Sequence, residues 1–184
     1  SLSDGLEPYP TSLRLVNWIK FLSINNHMND AIDNQLYADY SRLIDNLEYH
    51  LLGNHLLENG ISLLFGAVYF NNKVFFRIGS EIVRQELEEQ ILSDGGHFEL
   101  SPMYHQIILH RLLDLIQLFR INSVNFESEK ELLAIINSKT VLMLSWIELV
   151  TFRNGDIPLV NDASMGIAAT TNQLLEYANK LGVK

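Results

Sequence analysis

The chain has 184 residues, 47% of them hydrophobic and 19% charged, which is enough apolar material to fold around a core. Its formal net charge of −9 argues against a general nucleic-acid binder, because phosphate binding needs an electropositive face that displaces counterions. The absence of cysteine excludes disulfides, zinc–thiolate centres and thiol nucleophiles. The longest apolar runs are interrupted by Asn, Glu or Gly before they reach the roughly 18 residues that span a bilayer, so a soluble chain with no membrane span is expected. The opening SLSDGLEPYPTS lacks the basic-then-apolar order of a signal peptide.

In chain order, SLRLVNWIKFLSIN reads as a first helix, with Thr11 or Ser12 as N-cap and Leu13, Val16, Ile19 or Lys20, and Ile24 on one face. A second helix, from about Asn29 to Leu47, repeats Ile32, Leu36, Tyr40, Leu43 and Leu47 at steps of three and four. The stretch HLLGNHLLENGISLLFGAVYF, from His50, is apolar on more than one side and predicts a buried helix. After a turn at Asn71-Asn72, KVFFRIGSEIVRQELEEQIL carries a helical charge pattern toward its end. Asp94-Gly95-Gly96 reads as a helix stop, and Ser101-Pro102 as a helix start with serine at the N-cap and proline in the first turn. MYHQIILHRLLDLIQLFR follows as an amphipathic helix, and SEKELLAIINSKTVLMLSWIELVTF opens on Ser128 and Glu131, the spacing of a capping box. The last third holds a turn at Asn154-Gly155, an extended piece around Pro158, Asp162 as a candidate N-cap, and a short helix from about Thr171. No run alternates like a strand, so the expectation is all-α, built from stacked helical hairpins in a single domain over residues 1–184.

Polar residues at two places resist this packing account. Asn54, His55 and Glu58 fall on one sector of the helix expected to be buried, where unpaired polar atoms each cost about 1–3 kcal/mol. They face water, cap one another or line a cleft. In DGGHFELSPMYHQ the glycines, serine and proline account for the turn, but His97, Glu99, Tyr104 and His105 are left over. Tyr104 sits in a first turn, where the positive end of the helix dipole points, which suits a proton-transfer group; a packed tyrosine with a satisfied hydroxyl is the ordinary alternative. His97, Glu99 and His105 match no established metal-ligand spacing, and there is no HExxH, so no metal is expected. Arg14, Asn17 and Trp18 in LRLVNW are candidates for sugar contact, with Trp18 stacking on a pyranose; a core role is the alternative for Trp18.

NHLLENGISLLFGAVYF, followed by LEEQILSDGGHFELSPMYHQIIL, resembles the heparinase II/III-like family of polysaccharide lyases in its N-terminal helical domain. EPYPTSLRLVNWIKFL and GDIPLVNDASMGIAATTNQLLEYANKLG are similar to that family's flanking segments in the same order. The resemblance implies an incomplete (α/α) toroid, followed in the whole enzyme by a C-terminal β-sandwich domain expected to be missing here. It implies β-elimination at a uronic acid of an acidic polysaccharide, with no metal or cofactor. Asn54 and His55 match the residues that neutralise the uronate carboxylate, with either as the contacting group, and Tyr104 matches the catalytic acid/base. Glu58 matches a position some members use in the site, and His97, Glu99 and His105 are expected to shape the pocket. A further family histidine belongs to the sandwich, so these residues alone are expected to be inactive. The resemblance further implies a bacterial protein, periplasmic or secreted. A catalytically silent carbohydrate-binding or assembly domain is an alternative, as is a glycoside hydrolase with paired carboxylates on the same scaffold.

Overall fold

In a computed structural model of the chain, residues 5–25, 29–51, 53–122 and 126–183 are described. They form seven α-helices, with no strand among the described residues beyond an isolated bridge between Ile91 and His97. The all-α expectation therefore holds. The chain divides into two compact units, one ending at Val83 and the other starting at Arg84, within the fourth helix.

In the first unit, α1 (Pro8–Asn25) starts earlier than its sequence signals suggest. Prolines fit a first turn because amides there have no intrahelical acceptor, and the Thr11 amide already donates to the Glu7 carbonyl at 3.1 Å. Thr11 and Ser12 are thus buried helix residues and not N-caps. The buried stripe runs through Leu15, Val16, Ile19 and Leu22, and Ile24 lies out in solvent, a rotation away from the predicted face. In α2 (Asp30–Ile44), Asn29 caps the amides of Ala31 and Ile32, and Leu36, Tyr40 and Leu43 are buried. Leu47 lies beyond its end. Helix α3 (His55–Phe70) begins at His55 instead of His50, and residues Leu56 to Ala67 are buried without a break, as its apolar sequence predicts. α1 packs chiefly on α3, and α2 flanks both. Tyr40 is wedged against α3: its hydroxyl donates to the Ser62 carbonyl at 2.9 Å, and a Cβ on Gly66 would come within 2.6 Å of its ring. α4 (Lys73–Gln90) starts from Asn72, whose side chain accepts from the amides of Val74 and Phe75.

The second unit is built on α5 (Pro102–Ile121), which packs against α6 (Glu129–Val150) and α7 (Thr171–Lys180). Burial around α5 is wider than an amphipathic pattern implies and takes in His105, Gln106 and Asp114 as well as the leucines. The capping box at Ser128 does not form: Ser128 has a left-handed φ of 64° and no side-chain cap bond, and Glu131 pairs with Arg84 at 3.0 Å. A capping box forms instead at α7, between Thr170 and Gln173. Asp162 caps nothing; it lies in a left-handed turn (φ 62°) well before α7 begins. By length and composition α6 is apolar enough to cross a membrane, which departs from the sequence expectation, but Leu132, Ile136, Met143, Leu144 and Ile147 form a buried stripe in this unit.

Asp94-Gly95-Gly96 is not a helix stop, because α4 has already ended at Gln90. The glycines close a tight loop in which the Leu92 amide donates to the Gly96 carbonyl and the Phe98 amide to the Gln90 carbonyl, at 2.9 and 2.8 Å. Gly95 has a φ of 91°, and a Cβ there would lie 2.3 Å from the Leu142 carbonyl oxygen on α6. Both the dihedral and the contact forbid a side chain. A Gly95→Ala substitution is therefore expected to destabilise the protein by about 2 kcal/mol or more, read as a lowered denaturation midpoint.

Candidate functional site

In the first unit, the turn after α2 delivers Asn54 and His55 to the start of α3. Asn54 occupies the N-cap position, but its side chain caps nothing; it is 5% exposed and its Nδ2 has no hydrogen-bond partner. A buried amide donor without an acceptor is costly, and it is where an anionic acceptor would be welcome. His55 is half-buried and stacks on Tyr9 from α1, with ring centroids 4.3 Å apart. Its Nδ1 lies 3.3 Å from Oε1 of Glu48. Glu58, one turn on, is fully buried, and its amide donates to the Asn54 carbonyl at 2.9 Å.

Behind His55 lies a polar network with no obvious sequence signal. Glu48 is 4% exposed, and its Oε2 accepts from Asn59 Nδ2 at 3.1 Å. Asn59 Oδ1 accepts from the Glu48 backbone amide at 3.2 Å, which fixes the orientation of the Asn59 amide. The same Nδ2 also donates to Ser12 Oγ at 3.1 Å. Ser12, Glu48 and Asn59 are spread across the first third of the chain, and Asn59 alone stands out in sequence, as a polar residue within an apolar helix.

On another face of α1, Arg14, Asn17, Trp18 and Phe21 line an open groove of about 640 Å³. Trp18 is 43% exposed and meets Phe21 edge to face at 5.9 Å, so it is not a core residue. The Arg14 guanidinium is held by the Gly5 carbonyl at 2.8 Å and by Thr11 Oγ1 at 3.2 Å.

In the second unit, the loop and the first turn of α5 carry His97, Glu99, Tyr104 and His105. Tyr104 and Glu99 are half-buried, whereas both histidines are fully buried. His105 Nε2 donates to the Met143 carbonyl at 2.9 Å, and its ring stacks on Trp146 at 4.6 Å. His97 Nε2 meets Gln90 Oε1 at 3.0 Å, while the Gln90 amide nitrogen donates to Glu86 at 2.7 Å, so the Gln90 carbonyl faces the ring. Both imidazoles thus hold their proton at Nε2. The two Nδ1 atoms and the buried Ser101 Oγ have no partner. Burial pushes the pKa of each histidine down to about 4; for His105 the bond to Met143 opposes this, His97 adds to it and Asp94 opposes it weakly.

Among the described residues the fold is all-helical, and the candidate residues sit at the start of α3 and on the loop and first turn of α5. The family described as Heparinase II/III N-terminus matches residues 18–181, and the chain belongs to that family. A heparin-sulfate lyase from Bacteroides stercoris is 25% identical over 121 residues, which are 64% of this chain and 18% of that protein. The crystal structure of heparinase III superposes with a TM-score of 0.74 at 19% identity, covering 96% of this chain and 28% of the other. The helical fold expected from the resemblance is therefore shared with heparinase III. The chain spans less than a third of either relative.

The two buried histidines make stability depend on acid. Their folded pKa of about 4 lies below the ordinary 6.5, so between these values the unfolded chain takes up protons that the folded chain refuses. Their full contribution is present above pH 6.5 and is lost progressively as pH falls toward 4, by on the order of a few kcal/mol for the pair. Denaturation midpoints measured across this window should fall with pH, and His105→Gln should flatten the slope.

Proposed function

We propose that this chain is the helical domain of a polysaccharide lyase that cleaves a uronate-containing acidic polysaccharide by β-elimination. The observation that carries the reading is family membership across residues 18–181, a span that contains Asn54, His55, Glu58, His97, Glu99, Tyr104 and His105. The name of the Bacteroides relative makes heparin sulfate the first polymer to test.

The C5 proton of a uronate is weakly acidic because the adjacent carboxylate is already charged. A donor that takes up the charge developing there lowers the barrier. Asn54 is the neutraliser in this reading, since its buried Nδ2 has no acceptor and a substrate carboxylate would supply one. Tyr104 exchanges the protons: a base removes H5, its electron pair forms the C4–C5 double bond, the C4–O4 bond breaks, and O4 leaves with a proton. A phenol suits both ends because its oxygen accepts and donates. Trp18 and Arg14 bind sugar rings and acidic groups along the α1 groove. His97, Glu99 and His105 support the turn that presents Tyr104, and Glu58 supports the start of α3. The reading needs no cofactor, takes a further histidine from a β-sandwich domain, and fits an exported bacterial enzyme.

The test is to incubate the full enzyme containing this chain with heparin sulfate and other uronate polymers while following ultraviolet absorbance from the new double bond. Tyr104→Phe and Asn54→Ala should each lower kcat/KM by about 10²-fold or more without unfolding the protein. Trp18→Ala should raise KM while leaving kcat nearly unchanged. New reducing ends without absorbance would replace the lyase with a hydrolase, and binding with no product would replace it with a silent carbohydrate-binding domain.

A further inference from the structure

Resting on that reading, the geometry points to Glu48 as a positioning residue that fixes the tautomer of His55, so that His55 meets substrate through Nε2 as a hydrogen-bond and proton acceptor. Glu48 was not among the residues that the sequence motifs single out. Glu48 is 4% exposed, lies between α2 and α3, and its carboxylate is engaged at both oxygens. Oε2 accepts from Asn59 Nδ2 at 3.1 Å, and Oε1 faces His55 Nδ1 at 3.3 Å.

The direction of these bonds follows from the backbone. The Glu48 amide can only donate, so Asn59 must turn its Oδ1 toward it and its Nδ2 toward the carboxylate. A carboxylate only accepts, so the proton between Glu48 and His55 belongs to Nδ1. In the neutral ring Nε2 then carries a lone pair, and among the described residues it has no protein partner. Tyr9, stacked on the ring at 4.3 Å and 21°, holds the imidazole plane. Neutral His55 held this way cannot donate to a substrate carboxylate. It can accept from a sugar hydroxyl or take up a proton, while Asn54 does the donating.

An isosteric change separates this device from simple packing. In Glu48→Gln the buried Asn59 Nδ2 still needs an acceptor, so the new amide carbonyl must face Asn59 and its NH₂ must face His55. His55 Nδ1 then becomes the acceptor and the proton moves to Nε2. Nitrogen-15 correlation spectra of the imidazole, recorded on the chain without substrate, report the tautomer directly. The expected result is an Nδ1–H tautomer in the native chain and an Nε2–H tautomer in Glu48→Gln. In the full enzyme the same substitution should lower kcat about tenfold or more with KM little changed.

A native chain already in the Nε2–H form overturns the proposal, whatever the variant does. So does a Glu48→Gln chain that keeps the Nδ1–H form, or one that switches tautomer with kcat unchanged. Absence of any unsaturated product from the native full enzyme strikes the lyase reading instead and leaves the tautomer result standing.

Discussion

On a helix buried on every side a polar side chain is costly unless it is hydrogen-bonded, and α3 is such a helix. Its residues from Leu56 to Ala67 are shielded from solvent without interruption. Each fully buried leucine or isoleucine there contributes about 1.5–3 kcal/mol, but Asn59 in their midst would cancel much of that if left unsatisfied. Its partners come from two other places: Ser12 on α1 and Glu48 on the turn after α2. One buried amide therefore ties three segments together. Because the turn is pinned through Glu48, the residues that leave it, Asn54 and His55, reach the start of α3 in a fixed setting. The packing requirement and the placement of the candidate site are the same constraint.

The second unit meets a similar constraint with imidazoles. His105 faces inward from the first turn of α5 and donates to a carbonyl of α6, which it can do as a neutral ring. Tyr104, its neighbour, is rotated by a helical step of roughly 100° and is only half-buried. The loop before it is fastened by its own backbone bonds and pressed against α6 at Gly95, where no side chain fits. What presents Tyr104 is thus a rigid loop, a proline-started helix and a buried neighbour, each with a separate physical cause.

Much of this was legible in sequence where the signal is local. The continuous apolar run of α3, the Asn71-Asn72 turn, Pro102 at the start of α5 and the Asn154-Gly155 turn all act over a few residues, and the structure carries them. The misses were competitions decided at long range. Thr11 and Ser12 look like caps, but Pro8 and Pro10 start the helix upstream and Ser12 is needed by Asn59. Ser128 and Glu131 have capping-box spacing, yet Glu131 is drawn to Arg84. The glycines at 95 and 96 look like a helix stop and serve instead the close approach of α6. The network behind His55 was illegible because its members lie up to 47 residues apart, and nothing about a lone Glu48 in LEYH marks it as buried.

The three histidines of the motifs look alike in sequence and differ in what stands behind them. Behind His97 is an amide carbonyl and behind His105 a peptide carbonyl, both neutral acceptors at Nε2, and both rings are sealed from solvent. Such rings hold their surroundings together and resist protonation. Behind His55 is a carboxylate, at Nδ1, and the ring remains half-exposed. Burying a carboxylate is costly unless its oxygens are used, and a neutral side chain could have filled the same space at lower cost. Glu48 has both oxygens engaged, one by the scaffold through Asn59 and one by the half-exposed ring of His55. That division, scaffold on one oxygen and an accessible imidazole on the other, is what separates His55 from the two histidines that only pack.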